Sequence, residues 1–258
     1  MENKNFVPPV FIGECIYCGT RCESLQDEHI IPYGLKGNLK LLQASCKKCA
    51  EITSAFEGEV LRNLFLPARA KLGLPTRHKK NRPKSFSLSI EKDGQTKDMK
   101  VPINRHFTTI ILPEFKLPAF LEARPYERGI DLIGTSLSSI GQPQIEELAE
   151  EYGAQSLIIE ATITNAFSRF LAKIAYGFSI AEFGLGKMQK VHVLPVILGK
   201  SNDVGRWIGC PPFNKQRTAE NFLHILRLSL IDNKIILAYV RLFANCNTPE
   251  YLVVVGTL

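Results

Sequence analysis

Apolar residues recur at helical spacing in two long stretches of the chain. The first begins at the cysteine pair Cys46/Cys49 and runs up to Pro67, and the second covers 162–183, where one broad apolar face extends over most of the stretch. Such spacing predicts a helix with one buried face. A short acidic, amphipathic stretch at 144–152 and a brief segment at 68–72, ended by Gly73, predict two further helices.

Other apolar runs are short, rich in β-branched residues or alternating, and bounded by turn residues, which is typical of strands. Asp93-Gly94 and Asp232-Asn233 predict tight turns between successive strands. The predicted strands are 28–31, 39–42, 85–90, 97–103, 108–112, 191–198, 223–230, 234–242 and 251–255. We therefore predict an α+β fold, in which a small knuckle, strand, loop, strand and helix unit precedes a larger α+β domain with a mainly antiparallel sheet.

Charge is distributed unevenly along the 258 residues. The net charge is +7, and residues 1–84 hold 14 Lys and Arg against 8 Asp and Glu, so nearly all of the excess lies in this third of the chain. The run 62–84 has no acidic residue, which suits a polyanion such as nucleic acid, although a solvated face or linker is an equally good interpretation. We place domains at 1–75 and 85–258, joined by a basic linker at 76–84. The predicted phosphate contacts are Arg62, Arg69, Lys71, Arg77, Lys79, Lys80 and Arg82.

Four of the seven cysteines form two C-x-x-C pairs, Cys15/Cys18 and Cys46/Cys49. Four thiolates at this spacing predict a structural Zn²⁺ site, and Cys22 is interpreted as a spare thiol. The cysteine usage, the absence of a signal-peptide pattern at the N-terminus and the lack of a long apolar run predict a cytoplasmic protein that does not enter the membrane.

Between the two pairs lies Glu28-His29, directly before an apolar run. A histidine in such a run is more often structural than catalytic. Here a carboxylate precedes it and metal-ligand pairs flank it, and an imidazole near its free pKa accepts a proton from water at neutral pH. An adjacent carboxylate can bind a divalent cation, so the two residue types suit phosphodiester hydrolysis.

The two C-x-x-C pairs, with Glu28-His29-Ile30-Ile31-Pro32 between them and a helix after them, resemble the HNH endonuclease family in its four-cysteine zinc variant. The resemblance covers roughly 15–66 and implies a ββα-metal fold followed by an uncharacterised C-terminal region. It implies that His29 is the general base, that Glu28 binds a catalytic Mg²⁺ or Mn²⁺, and that the zinc is remote from the chemistry. The implied substrate is DNA, with the 3′ oxygen departing.

Two positions depart from the family's motif. Leu41 stands where the family usually has its central asparagine, so Asn38 is the nearest candidate. Ala50 stands where the family has its last metal ligand. Since positions 50, 53, 54 and 57 share a helix face, Glu57 is the substitute we predict, an ion pair with a nearby Lys or Arg being the equally weighted alternative.

The expected function is therefore a metal-dependent DNA endonuclease. The alternative is a zinc-stabilised nucleic-acid-binding protein without catalysis, and in either case the C-terminal part could recognise a further molecule. We predict structural roles for His106, His192 and His224, an exposed or phosphate-facing His78, and a packing role for Trp207 in preference to base stacking.

Overall fold

The computed structural model describes residues 9–77, 79–126, 128–141, 145–158, 164–212, 219 and 221–258. These residues form thirteen strands and seven α-helices. The strands are β1 Val10–Phe11, β2 Gln26–His29, β3 Lys40–Ser45, β4 Ser85–Lys92, β5 Gln95–Pro102, β6 Thr109–Phe115, β7 Leu132–Ser139, β8 Ser156–Ile158, β9 Lys190–Val191, β10 Ile208–Gly209, β11 His224–Ile231, β12 Ile235–Leu242 and β13 Tyr251–Thr257. The helices are α1 Lys47–Glu59, α2 Leu66–Lys71, α3 Ala119–Glu122, α4 Ile145–Tyr152, α5 Asn165–Phe183, α6 Leu194–Ile197 and α7 Val204–Trp207.

The cysteine-rich part folds as two antiparallel strands followed by a helix. β2 pairs with β3 in antiparallel register, β1 adds to the other edge of β3 in parallel, and α1 follows β3 directly. The β2–β3 pairing shifts at a bulge, where the Gln43 N–H donates to the Asp27 carboxylate at 3.2 Å. A Cβ added to Gly37 would lie 1.8 Å from the Ile31 carbonyl oxygen, so the loop between the two strands needs a glycine there. The predicted order of strand, loop, strand and helix is confirmed.

The largest sheet of the described chain is antiparallel and lies at the C-terminal end. Its strand order is β10-β13-β12-β11, and β9 pairs with Gly256 and Thr257 at the end of β13. Asp232 and Asn233 both take the left-handed conformation and connect β11 to β12, as predicted. The predicted strand at 191–198 is wrong: only Lys190–Val191 pairs with β13, and the apolar residues that follow form α6. Pro195 lies in the first turn of that helix, a position that its fixed φ favours.

Two smaller sheets complete the molecule. β4 and β5 form the hairpin predicted around Asp93-Gly94, β8 pairs with the other edge of β4, and α4 packs beside them over a small separate core. β6 pairs with β7, a strand that the sequence analysis did not identify. Its apolar residues Leu132, Ile133 and Leu137 are exposed, so no buried face marks it in the sequence.

Helix α5 packs between the N-terminal helix α1 and the C-terminal sheet. Thirteen of its nineteen residues are buried, and it packs against α1 on one side and against β12 and β13 on the other. One cluster of buried apolar side chains consequently extends from Cys15 to Val255. The α+β prediction is confirmed. The domain boundary at 76–84 stays a prediction, and the core is continuous across it. Among the described helices, none has the length and apolar character required to cross a bilayer.

Candidate zinc site and basic cleft

The four cysteines of the two C-x-x-C pairs meet at one point. Their Sγ atoms all lie within 4.8 Å of one another, and the Cys18 and Cys46 Sγ atoms are 3.7 Å apart. Sulfurs bound to one tetrahedral Zn²⁺ with bonds near 2.3 Å would be about 3.8 Å apart. The donor set and spacing therefore fit a structural zinc.

Local backbone geometry fixes these thiols. The Gly19 N–H donates to the Cys15 carbonyl at 2.8 Å, and Gly19 takes a φ of 71°, so the first pair lies in a closed knuckle. Cys46 is the N-cap of α1 and places Cys49 in the first turn of the helix. Cys22 is exposed and lies outside the cluster, as the spare-thiol interpretation requires.

The thiols differ in acidity. A hydrogen bond with the Thr20 hydroxyl is the largest cause that lowers the pKa of Cys18, to about 6. Burial raises the pKa of Cys15 and of Cys49. Zinc binds the thiolate, so proton release from the buried pair accompanies metal binding at neutral pH.

A cleft of about 540 Å³ lies between β2 and α1, and we call it the His29 cleft. Glu28 and His29 line it from β2, Ala50 and Glu57 line it from α1, and basic side chains lie along its remaining wall. Arg62 and Arg77 are exposed members of that wall. The arrangement places a histidine, cationic groups and four carboxylates around one space, the carboxylates being those of Asp27, Glu28, Glu51 and Glu57.

His29 is half-buried and lies at the end of β2, opposite Lys40 on β3. Burial lowers the pKa of His29, and the charges of Lys40 and Lys173 lower it further. The imidazole is therefore neutral at pH 7 and can accept a proton. Within the described residues its ring contacts Tyr33, with ring centroids 6.3 Å apart, and no side-chain hydrogen bond to it is formed.

Glu28 and Glu57 converge, as the helix-face reasoning predicted, and the group between them is Lys173 of α5. The Lys173 Nζ lies 2.7 Å from the Glu28 carboxylate and 2.7 Å from the Glu57 carboxylate. Of the two interpretations of Glu57, the structure contains the ion pair. Burial alone would lower the pKa of Lys173, but the two carboxylates more than offset it and the pKa is raised.

The Tyr17 hydroxyl is buried and has no hydrogen-bond partner among the described residues. Burial, together with the negative charges of Glu28 and Glu57, raises the pKa of Tyr17 well above its usual value. Its ring packs near that of Tyr176, which is on α5 three residues after Lys173. Tyr17 is therefore part of the main apolar core, close to the two carboxylates.

At the two positions that depart from the family's motif, the structure supplies no replacement for the missing side chains. Asn38 is exposed in the loop before β3 and is not one of the residues that line the His29 cleft. Ala50 does line the cleft and offers no ligand atom. The role of Asn38 stays a prediction that the geometry does not favour.

The predicted phosphate-binding residues divide into two groups. Three bind backbone carbonyl groups: Arg69 donates to Gly34, Leu61 and Pro75, Lys71 to Ile103, Asn104 and His106, and Arg82 to Leu74. Arg62, Arg77 and Lys80 are exposed. The side chain of Lys79, like His78, lies outside the described residues. The first group stabilises the fold, which leaves the second as the available cations.

Residues predicted to be structural have the expected surroundings. His224 contacts the Leu35 carbonyl at 2.9 Å, and His106 contacts the Ser87 carbonyl at 3.3 Å. His192 stacks on Trp207 with ring centroids 4.4 Å apart, and Trp207 is 9% exposed, so its packing role is confirmed.

Lys173 was not among the predicted site residues, although the sequence contains a signal for it. Lys173 lies inside a long, largely buried helix, between the buried residues Ala172 and Ile174. A lysine in such a position is nearly always paired, and the pairing could have been inferred before its partners were known.

Searches against models of protein families, against curated proteins and against solved structures found no match to this chain.

Proposed function

We propose that the protein hydrolyses phosphodiester bonds of nucleic acid, DNA being the expected substrate, with His29 as the general base. The observation that carries the proposal is the half-buried His29, its pKa lowered by burial, in a cleft that also presents Arg62 and Arg77. The cations suit a polyanionic backbone, and the neutral imidazole suits the activation of water. Free thiols and a DNA substrate favour the cytoplasm as the location.

In this reaction the His29 imidazole accepts a proton from a water molecule, and the oxygen of that water bonds to phosphorus. The bond from phosphorus to the departing sugar oxygen breaks, that oxygen takes up a proton from solvent, and His29 releases its proton to solvent. The products are a phosphate monoester and an alcohol. Arg62 and Arg77 bind the phosphate and offset the charge that develops on its oxygens.

The catalytic Mg²⁺ or Mn²⁺ implied by the resemblance does not fit its two predicted carboxylate ligands, Glu28 and Glu57. Both are already bound to the Lys173 ammonium, and Ala50 supplies no further ligand. We assign no step of the reaction to a divalent ion.

The zinc has a separate role. Cys15, Cys18, Cys46 and Cys49 would hold it in a closed shell, and it would connect the knuckle to the start of α1. It supplies stability to the ββα unit and takes no part in the reaction.

The test is incubation of the zinc-loaded protein with supercoiled plasmid in the presence of Mg²⁺, of Mn²⁺ and of no added divalent ion. We expect nicked and linear products in all three conditions, because no step is assigned to a divalent ion. We expect His29→Ala to lower the rate by about 10²–10⁴-fold, the usual contribution of a general base. Undiminished cleavage by His29→Ala would refute the role of His29.

A second candidate is a nucleic-acid-binding protein without catalysis. The lack of a ligand at Ala50 and the ion pairs of Glu28 and Glu57 favour it. Salt-dependent DNA binding, with no cleavage under any of the three metal conditions, would select this candidate.

A further inference from the structure

The Lys173 ammonium is surrounded by four oxygen-bearing groups, an arrangement similar to the oxygen ligands of a bound metal cation. Besides the two carboxylates, Nζ donates to the His29 carbonyl and lies 3.4 Å from the Ile30 carbonyl. Lys173 is 1% exposed, and Glu28 is 7% exposed. One positive charge thus occupies a buried space between two carboxylates and two carbonyl groups.

The surrounding structure fixes α5 in this position. The Thr164 hydroxyl caps the helix at Ala166 N and donates to Glu59 of α1 at 2.7 Å. The Arg169 guanidinium lies over the Phe56 ring of α1, 4.7 Å from its centroid. Helix α5 is thus bound to α1 at Phe56 and Glu59, on either side of Glu57 in the sequence, and most of its length is buried. Moving Lys173 away would therefore disrupt the main core.

We propose that Lys173 is the resident cation of this site, and that the Glu28–Glu57 pair of the native protein takes up no divalent ion. The buried Glu28 carboxylate and the partly buried Glu57 carboxylate need a positive charge between them, and an ammonium on a fixed helix supplies one permanently. Lys173 is a positioning residue, since it fixes the two carboxylates and the His29 carbonyl. This proposal depends on the proposed function in one respect only: it takes His29, which lies next to this site, to be the general base.

The experiment is a Mn²⁺ titration of the zinc-loaded protein, in which the electron paramagnetic resonance signal of free Mn²⁺ is measured. We expect the native protein to leave the signal unchanged. We expect Lys173→Ala, which uncovers both carboxylates, to bind one Mn²⁺ per chain, and a second change, Glu57→Gln, to abolish that binding. Lys187→Ala removes an exposed lysine and serves as the matched control.

Two results would overturn the proposal. One is Mn²⁺ binding by the native protein that is lost in Glu57→Gln. The other is a folded Lys173→Ala protein that leaves Mn²⁺ free. If Lys173→Ala does not fold, the titration of the native protein and of Glu57→Gln still decides the question. The titration measures no cleavage, so failure of the nuclease assay and failure of this proposal are separate outcomes.

Discussion

At the scale of single residues, His29 and Lys173 determine the chemistry of the cleft. The imidazole of His29 has a lowered pKa because of its burial and the nearby cations, and Lys173 holds the carboxylate that precedes His29 in sequence. The base is neutral at pH 7, the Lys173 ammonium offsets one of the two carboxylate charges, and Arg62 and Arg77 supply exposed positive charge at the cleft. Each of the two residues makes a prediction that depends on pH.

The rate of cleavage should depend on one deprotonation. With the pKa of His29 below its ordinary value of about 6.5, the rate should be constant above neutrality and fall as the pH drops through a value below about 6.5. A single-turnover pH–rate profile measures this. A rate that continues to rise above pH 7.5 would contradict a neutral His29 as the base.

Replacing Lys173 by Met should destabilise the protein by about 3–5 kcal/mol, because two buried carboxylates lose their partner. Burial raises the folded-state pKa of Glu57 even with the ammonium present, and loss of the ammonium should raise it further, so the stability of the variant should fall as the pH rises above the unfolded value of about 4.3.

The deficit of Lys173→Met relative to the native protein should therefore be smaller at about pH 5.5 than at about pH 7.5. Urea unfolding at the two pH values measures it, with Lys187→Met as the exposed control. An equal deficit at both values would show that lost packing, and not unpaired charge, causes the destabilisation.

At the scale of elements, the four-cysteine cluster links the ends of the ββα unit formed by β2, β3 and α1. Cys15 and Cys18 precede β2, whereas Cys46 and Cys49 join β3 to α1, so one ion would connect both ends of the unit. The unit in turn places His29 and Glu57 on facing elements. Loss of the metal should therefore disrupt the cleft as well as the knuckle.

The change Cys46→Ser should remove most of the zinc and unfold the ββα unit, since structural zinc contributes on the order of 10 kcal/mol to small zinc folds. Cys22→Ser removes an exposed thiol outside the cluster and should keep both the zinc and the fold. Metal analysis together with circular dichroism measures the two effects. Full zinc content in Cys46→Ser would contradict the assigned ligand set.

Elements set by local pattern could be predicted, whereas contacts between distant parts of the chain could not. The turns at Asp93-Gly94 and Asp232-Asn233 follow from residues that tolerate positive φ. The run 191–198 was misassigned because a short apolar stretch has no period that separates strand from helix. Lys173 meets Glu28 across 145 positions of the chain, and no local pattern specifies which carboxylates a buried lysine will find.

At the scale of the whole molecule, the net charge of +7 is concentrated in the part that contains the cleft. The fold uses Arg69, Lys71 and Arg82 for internal contacts, so fewer cations face outward than the basic run 62–84 suggests. Arg62 and Arg77 remain exposed at the cleft. Nucleic-acid affinity should consequently depend on these two more than on the total charge.

The double change Arg62→Ala and Arg77→Ala should weaken DNA binding and lower the slope of log affinity against log salt concentration by about two, one for each lost phosphate contact. Lys97→Ala with Lys100→Ala removes the same charge from exposed positions on β5 and should leave the slope nearly unchanged. Fluorescence anisotropy over a salt series measures both. Equal slopes in the two double variants would show that binding depends on net charge alone.

His29 is proposed to activate water for the hydrolysis of a phosphodiester bond in this cleft. Cleavage of a DNA oligonucleotide in oxygen-18-labelled water, followed by mass spectrometry of the fragments, tests it most directly. We expect one heavy oxygen on each new phosphate end with the native protein and almost no product with His29→Ala. Fragments without the label, or equal product from both proteins, would contradict the claim.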